Sequence, residues 1–568
     1  MTCQPGDLPA RLFVPANIGR GVPMPQPCPP DGMLGPSRDA KPVSVLNQAS
    51  PSTVVSDAAA TPRPSACPGL LRIVAARDGG ICRIKLPGGE LSAAQARAIA
   101  DVSARHAAGV IELTNRANVQ VRGVKRGEEA ALIAALVAAG LGPMPSAGAA
   151  KAVAIGPADV ADTMAVSAVD RAAANAVETV SSKLPDALDA SAAMAIAADD
   201  VRNVMISPAA GRDPCSLFDT RPLCAELLAT LQSEPRFAAL SPKFALLLDG
   251  GERLARVDHP HDVWLAASQE ADGVRFVFGL AGCPPASAWA GSPAQNECIT
   301  TDESHANGAV PLAAILPSQA PALVRALLLT FLDLAAADAT RMRHLLAVHS
   351  ADALLHHAQR YLDFPLTRNA ALAGWHRRTP ADAGLRLGAH AQRVPGTWHA
   401  GGQPPLGRLD ANTLDALAAL SQQHGNGTLR VTPWQSVLLP DIATHAVPAV
   451  LSGLAALGLA CDPAQAITRL IACAGSSGCA KSLADTKADA LRLAARLAAG
   501  VDAHLSGCPR SCAAAHCAPY TLLAAAPGLY DLYRRDGRPG FGLCVARQLT
   551  IDQAADMLER LARSNPDA

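Results

Sequence analysis

The chain contains the same segment twice, and this duplication restricts the folds open to it more than any other feature. The segment LSAAQARAIADVSARHAAGVIELTNRANVQV, which begins at Leu91, aligns without a gap on LDANTLDALAALSQQHGNGTLRVTPWQSVLL, which begins 318 residues later at Leu409. Each copy predicts a strand, a helix and a second strand, and the helix begins after a capping residue, Ser92 or Asp410. The match predicts two copies of one structural unit.

The two copies differ at positions where a ligand would be contacted. Arg116 in the first copy corresponds to Trp434 in the second, and Gln120 corresponds to Leu438. The first copy therefore offers polar and cationic groups, whereas the second offers a more apolar surface. This difference predicts a pseudo-symmetric pair of units that enclose one ligand.

Charge and composition argue against several classes of partner. The 568 residues include 49 Lys and Arg and 49 Asp and Glu, so net charge predicts neither a nucleic-acid nor a membrane partner. The most apolar stretch, APALVRALLLTFLDLAAADA, is interrupted by Arg325 and Asp333 and predicts a buried helix. The N-terminal sequence lacks a secretory signal, so the 15 cysteines are expected to be reduced, in the cytoplasm.

Two segments have compositions that do not support a packed core. Residues 1–66 are rich in Pro, Ser and Ala and are expected to form a disordered leader. Residues 145–197 are rich in Ala and contain no aromatic residue, which predicts a helical insertion or a loop. We expect order to begin near Gly69.

Four cysteines lie within forty residues in the last quarter of the chain. Cys473 and Cys479 belong to CAGSSGCAKS, and Cys508 and Cys512 belong to HLSGCPRSC. Three explanations are open. The thiols could be core residues, although the Gly, Ser and Pro around them do not suit a packing role. They could bind structural zinc, but the first pair is spaced too widely for a zinc pair. They could bind a [4Fe–4S] cluster, which matches four thiolates to four irons.

A phosphate-binding loop is a further interpretation of the sequence GSSGCAKS. Its second glycine is replaced by Ala480, and such a loop would not explain the two cysteines downstream. Nucleotide binding is therefore the weakest of the alternatives for this region.

The cysteine pairs, on a chain with a duplicated strand–helix–strand unit, resemble the sulfite and nitrite reductase superfamily. The segments RIKLPGG, TNRANVQVRG, RNVMISPAAG and LSPKFALLLDGG resemble motifs of the same superfamily. The resemblance implies that Cys473, Cys479, Cys508 and Cys512 hold a [4Fe–4S] cluster. It also implies that the last of these bridges to the iron of sirohaem.

The resemblance implies an α+β fold of the sulfite reductase haemoprotein type, with duplicated ferredoxin-like half-domains and two α/β lobes. The half-domains are expected at residues 67–144 and 351–445. The first lobe is expected at residues 198–350, and the second lobe, which carries the cluster loops, at residues 446–568.

Within the superfamily, LTNRANVQVRG resembles the oxygen-dependent precorrin-3B synthase branch more than the reductases. The reductases place two lysines around the phenylalanine of the Lys-Phe strand to hold an inorganic oxyanion. This chain retains Lys243 but has Ala245 at the second position. The loss of that cation weakens the expected binding of a small dianion.

The cations of the motif segments suit either kind of ligand, because sirohaem and precorrins both carry many carboxylates. The predicted substrate-binding residues are Arg83, Arg116, Arg122, Arg202 and Lys243, with Lys85 as a weaker candidate. The branch also implies a non-haem iron, for which the sequence indicates no ligands. His504 and His516 flank the cysteine pair without a metal-binding spacing and are expected to be structural or surface residues.

Three functions are open. The first, which we expect, is oxygen-dependent hydroxylation and lactone formation that convert precorrin-3A to precorrin-3B in aerobic cobalamin synthesis. It requires O2 and an external electron donor. The second is sirohaem-dependent reduction of sulfite or nitrite. The third is a non-catalytic protein that binds an iron–sulfur cluster or a tetrapyrrole.

Overall fold

The computed structural model describes residues 67–143, 188–285, 310–366, 368–514, 518–536 and 540–564. The expected leader lies outside these residues, and so does most of the expected insertion, of which only residues 188–197 are described. Within the described ranges the strands form four sheets of five strands each, two in the half-domains and two in the lobes. Helices cover the sheets, which confirms the predicted α+β class.

The first half-domain is an antiparallel sheet covered by two helices. Its elements are β1 (Val74–Ala76), β2 (Gly79–Ile84), β3 (Glu90–Ser92), α1 (Ala93–His106), β4 (Val110–Leu113), β5 (Val119–Val124) and α2 (Glu129–Ala138). Ser92 caps α1, because its hydroxyl accepts a hydrogen bond from the Gln95 backbone at 3.1 Å. The Gln95 side chain accepts one from the Ser92 backbone in return, and this reciprocal pair fixes the start of the helix.

The first lobe follows. Its elements are α3 (Leu188–Asp200), β6 (Val204–Met205), α4 (Thr220–Ser233), β7 (Leu246–Asp249), β8 (His261–Glu270), β9 (Gly273–Gly282), β10 (Ala313–Ile315), α5 (Ala320–Leu334), α6 (Met342–Leu346) and α7 (Ala351–Ala358). The predicted buried helix is α5, whose Phe331 is in the core. Leu354 of α7 belongs to the same core, so the lobe extends beyond residue 350. Cys283, after β9, is disulfide-bonded, whereas the sequence favoured reduced thiols.

The second half-domain repeats the first. Its elements are β11 (Gly388–Ala391), β12 (Thr397–Gly402), β13 (Arg408–Asp410), α8 (Ala411–His424), β14 (Thr428–Val431), β15 (Val437–Ala443) and α9 (Val447–Ala456). From β12 onwards each element begins 318 residues after its counterpart. Asp410 caps α8 by accepting a hydrogen bond from the Thr413 backbone at 2.7 Å. The predicted duplication is confirmed.

The two half-domains exchange a short strand. β3 pairs with β14 of the second sheet, and β13 pairs with β4 of the first. An ion pair joins facing residues in each exchange: Arg408 binds Glu112 at 2.7 Å, and Arg430 binds Glu90. Both half-domains contribute to one hydrophobic core, so they form a single packed unit.

The second lobe has the strand pairing of the first. Its elements are β16 (Leu470–Ala472), α10 (Gly475–Gly478), α11 (Thr486–Ala494), β17 (Ala503–Ser506), β18 (Tyr520–Ala526), β19 (Leu529–Arg534), β20 (Leu543–Leu549) and α12 (Ile551–Ser564). In both lobes two parallel pairings are followed by two antiparallel ones. No helix of the described residues is long and apolar enough to span a bilayer.

Candidate functional site

The cysteine loops begin where β16 and β17 end. These strands are adjacent and parallel, so the loops that follow them lie at the same edge of the sheet. The Cys473 backbone donates a hydrogen bond to the Leu505 carbonyl at 3.2 Å, and the Gly507 backbone donates one to Cys473 Sγ at 3.2 Å. The fold therefore brings together two cysteine pairs that are about thirty residues apart in sequence.

The four thiols that the sequence predicts as cluster ligands interact electrostatically. Burial raises the pKa of Cys512, and the charges of Cys508, Cys473 and Cys479 raise it further. Thiolates that interact in this way repel one another, and a cationic iron–sulfur core relieves that repulsion. The donor set therefore fits a [4Fe–4S] cluster. Cys517, the next cysteine along the chain and not one of the predicted ligands, lies outside the described residues.

Gly507 is the point where the two cysteine loops touch. Its carbonyl accepts a hydrogen bond from the Leu483 backbone at 2.9 Å. A methyl group on Gly507 would clash with the Ser482 hydroxyl and would lie 2.7 Å from Ser482 Cβ. Only glycine allows this approach, which explains the small residues around the cysteines.

Two cavities share one residue, His259. The arginine cavity is lined by Leu86, Arg116, Asn118, Arg202, Asn203, Val204, Met205, Ala245, His259 and His261. The tryptophan cavity is lined by Asn115, Arg256, His259, Arg386, Gln403, Pro433, Trp434, Gln435, Thr468, Ile471, Ala513 and Ala514. Ala513 and Ala514 directly follow Cys512, so the second cavity adjoins the cysteine loops.

Two of the predicted substrate-binding arginines, Arg116 and Arg202, line the arginine cavity. Within the described part of the chain the Arg116 guanidinium has no hydrogen bond or ion pair. Burial lowers the pKa of Arg116 to about 10, and the neighbouring charges of Arg341 and Arg83 add to the shift. A desolvated cation of this kind stabilises a bound anion strongly. Among the described residues, the Arg202 guanidinium has only a long contact, 3.4 Å, with the Asp199 carboxylate.

Arg83 interacts electrostatically with Arg116 of the arginine cavity and with Cys512 of the cysteine loops. Burial lowers its pKa, which the charges of Cys67 and Cys512 oppose. With the Gln120 amide oriented so that its oxygen faces Arg83, two guanidinium N–H groups lie 3.2 and 2.7 Å from that oxygen. Arg83 is therefore close to both the cluster loops and Arg116.

The other predicted cations have different surroundings. The Lys85 ammonium is buried and donates to the carbonyls of Asp199 and Asp200, at 2.8 and 2.6 Å. Arg122 forms a two-point ion pair with Asp78 and donates to the Gly478 carbonyl at 2.9 Å. Lys243 is exposed and lines neither cavity. The sequence motifs alone therefore did not distinguish these cations, which have other partners or are exposed, from Arg116, which lines a cavity.

Two histidines of the arginine cavity were not predicted from the sequence. The His259 and His261 rings lie 5.4 Å apart, edge to face. Burial lowers the pKa of His261 to about 3, and Arg116 and Arg341 lower it further. Burial, His261 and Arg256 hold the pKa of His259 well below its ordinary value. Both rings are therefore neutral at pH 7. The signal was the run DHPHD at residues 258–262, whose last two residues begin the buried strand β8.

The tryptophan cavity combines one aromatic face with arginines. The Arg256 guanidinium lies 5.4 Å from the Trp434 ring centroid, in a cation–π contact. Arg386 donates to the Thr468 carbonyl at 2.9 Å, but its buried Nε has no partner in the described chain. Trp434 lines the tryptophan cavity, whereas Arg116, the corresponding residue of the first sequence copy, lines the arginine cavity. The two copies therefore contribute different side chains to different cavities.

His504 lies on β17, four residues before Cys508. It pairs in register with Ile471, which lines the tryptophan cavity, so both residues lie on the same face of the sheet. The ring is fully buried, and neither of its nitrogens has a hydrogen-bond partner. Burial lowers its pKa to about 4. The sequence predicted a structural or surface role for His504, and a buried ring is consistent with a structural role. His516 lies outside the described residues.

Domain models of one superfamily match more than half of the chain. The "Nitrite/Sulfite reductase ferredoxin-like half domain" matches residues 75–139 and 390–457, which contain the two half-domain sheets. The "Nitrite and sulphite reductase 4Fe-4S domain" matches residues 197–366, which form the first lobe. The second lobe, which carries the four cysteines, repeats the strand pairing of that matched lobe.

The relatives include ferredoxin-dependent nitrite and sulfite reductases and a precorrin-3B synthase. The chloroplastic ferredoxin–nitrite reductase of Zea mays is 26% identical over 453 residues, which are 76% of this chain and 67% of that protein. Precorrin-3B synthase of Sinorhizobium sp is 26% identical over 518 residues, which are 90% of this chain and 91% of that protein. The matches to four nitrite reductases span 62–67% of their length.

Among solved structures, the Mycobacterium tuberculosis NirA protein has the same fold, with a TM-score of 0.60 and 20% identity. The superposition covers 85% of this chain and 80% of that one. The chain belongs to the nitrite and sulfite reductase superfamily, an oxidoreductase family that carries a [4Fe–4S] cluster and sirohaem.

Proposed function

We propose that the chain is an oxygen-dependent tetrapyrrole hydroxylase that converts precorrin-3A to precorrin-3B. The observation that carries the proposal is the wall of the arginine cavity. Ala245 lies there with Arg116 and Arg202, at the position where the superfamily's reductases place the second lysine of the Lys-Phe strand. The neighbouring side chains His259 and His261 are neutral at pH 7, so they do not replace the charge.

The extent of the match to the relatives supports the same proposal. Precorrin-3B synthase and this chain match over about nine tenths of both lengths, whereas the nitrite reductases are matched over about two thirds of theirs. The reductase matches are more numerous, so length alone does not decide the reaction.

The cavities suit a macrocycle that carries carboxylates. Arg116 and Arg202 would bind acetate or propionate groups, each as a charge-assisted contact. Arg83, which interacts electrostatically with Arg116, would add to the positive charge there. The Trp434 face, with Arg256 against it, would contact the flat ring. Together these contacts would orient the substrate and exclude water around its reacting edge.

The cluster, held by Cys473, Cys479, Cys508 and Cys512, would supply electrons one at a time. The proposed reaction consumes precorrin-3A, O2, two electrons and two protons, and it yields precorrin-3B and one water. One atom of O2 enters the macrocycle as a hydroxyl group at the meso carbon between rings A and D. The substrate's own acetate supplies the lactone oxygen. The electrons come from an external donor.

Isotope labelling tests the reaction. The protein, a reductant and precorrin-3A are incubated under ¹⁸O2 in ordinary water, and the product is weighed by mass spectrometry. A parallel incubation uses ordinary O2 in H2¹⁸O. One heavy atom from O2, and none from water, is the expected result. Unaltered precorrin-3A, with rapid sulfite or nitrite reduction by the same preparation, would overturn the proposal.

Reduction of nitrite or sulfite is the second candidate function. The nitrite reductases among the relatives favour it, and so do Arg116 and Arg202, which remain available to an oxyanion. The absorption spectrum of the anaerobically purified protein separates the two candidates. The reductase requires strong visible sirohaem bands, whereas a cluster without sirohaem gives only a broad brown shoulder.

A further inference from the structure

Glu112 on β4 is the centre of a buried charge network that reaches three parts of the molecule. Its carboxylate lies 2.7 Å from Arg408 of the exchanged strand β13, 3.5 Å from Arg122 of β5 and 3.7 Å from Lys487 of α11. Glu112 is 9% exposed and Lys487 is 8% exposed. Water therefore screens these charges little.

Two cations of this network lie beside the cysteine loops, one at each cysteine of the first pair. Arg122 donates a hydrogen bond to the carbonyl of Gly478, the residue before Cys479. Burial lowers the pKa of Lys487, and the negative charges of Glu112 and Cys473 oppose the shift. Lys487 directly follows Thr486, whose hydroxyl lies 3.3 Å from Cys473 Sγ, so this cation lies beside the first cysteine loop.

The Lys487 ammonium has no carboxylate of its own. It donates to the Leu406 carbonyl at 2.8 Å, and its only carboxylate neighbour in the described chain is Glu112, which Arg408 binds more closely. A buried charge beside Cys473 would act on a cluster held by the cysteines.

We propose that Lys487 and Arg122 set the reduction potential of the [4Fe–4S] cluster, and that Glu112 limits their effect. Reduction adds one negative charge to the cluster, so a nearby buried cation stabilises the reduced form and a buried anion opposes it. Neither cation is a cluster ligand, and each exerts its effect from a position beside the cysteine loops. The inference depends on the cluster and not on which substrate the protein uses.

A redox titration of the holoprotein tests the proposal. Dithionite donates one electron to each cluster at controlled potentials, and electron paramagnetic resonance measures the reduced fraction. Lys487→Met removes the buried charge and keeps the side-chain length. We expect the ratio of reduced to oxidised cluster at a given potential to fall about tenfold, which is about 59 mV for one electron.

Lys481→Met is the matched control, because Lys481 lies six residues before Lys487, two residues after Cys479, but is exposed. Its charge is screened, so the ratio should change by less than about twofold. Equal shifts in both lysine variants, or no shift in either, would overturn the proposal.

Glu112→Gln supplies a test of opposite sign. The amide keeps an acceptor for Arg408 but removes the negative charge, so the potential should rise. Iron and sulfide are measured in every variant. If Lys487→Met does not retain the cluster, Glu112→Gln decides alone: a raised potential supports the proposal, and an unchanged or lowered one overturns it.

Discussion

At the scale of single residues, the partners of a charged side chain decide whether it can bind a ligand. Lys85 and Arg116 both lie in motif segments of the first half-domain, and both are cations with lowered pKa values. Lys85 is occupied by two backbone carbonyls, whereas Arg116 faces a cavity without a partner among the described residues. Only Arg116 can therefore take a carboxylate without losing an existing contact.

Arg116→Ala should weaken tetrapyrrole binding. A charge-assisted hydrogen bond contributes about 1.5–3 kcal/mol, which is roughly ten- to hundredfold in affinity. Binding is measured by the change in the tetrapyrrole absorption during titration. Arg126→Ala is the control, because Arg126 follows β5 of the same sheet but is exposed. Equal affinity in both variants would show that Arg116 does not contact the ligand.

His504→Leu should reduce the acid sensitivity of the fold. The folded-state pKa of about 4 lies below the ordinary 6.5, so the unfolded chain binds a proton more readily between those values. Stability is therefore lost as the pH falls from 6.5 towards 4. At pH 5 the preferential protonation of His504 in the unfolded chain lowers the free energy of unfolding by about 2 kcal/mol.

The measurement is the thermal unfolding midpoint at pH 7 and pH 5. The midpoint of the His504→Leu variant should fall less than that of the natural chain over this interval. His356→Leu, at an exposed position of α7, should behave like the natural chain. An unchanged pH dependence in the His504 variant would mean that the ring is not the group that titrates.

At the scale of elements, local patterns predicted the duplicated units well. Ser92 and Asp410 begin equivalent helices, because capping depends on a few adjacent residues. The exchange of β3 and β13 was not predicted, since a three-residue strand carries too little pattern to specify its partner. Nor did the sequence show that Arg122 contacts Gly478, because the two residues are 356 positions apart.

Gly507→Ala should prevent the cysteine loops from closing around the cluster. Its methyl group would meet the Ser482 hydroxyl and Cβ, and one of the two loops would have to move. We expect the variant to lose most of its iron and sulfide. Adding Ser482→Gly removes both clashing atoms and should restore much of the cluster. Full iron content in the single variant would show that the loops tolerate displacement.

At the scale of the whole molecule, the second lobe depends on the cluster more than the other parts do. The half-domains share one large core, the first lobe has another, and the second lobe has a smaller one. In the second lobe, the loops after β16 and β17 are held together by a few contacts around Cys473 and Gly507, beside four thiols whose charges repel. With the cluster on these four cysteines, as we propose, its binding would supply the attraction there, and its free energy would contribute to the folding of this lobe.

Removal of the cluster should therefore loosen one part of the chain selectively. Hydrogen exchange, measured by mass spectrometry, is compared between the anaerobic holoprotein and the same protein after chelation of its iron. Peptides within residues 470–514 should exchange at least about tenfold faster, as expected for a local opening. Peptides from α1, α8 and α5 should keep their protection and serve as internal controls. The turn around Leu406 should also exchange faster, because Lys487 of α11 holds its carbonyl. Faster exchange throughout the half-domain core would contradict the argument, since it would mean that the three cores unfold together.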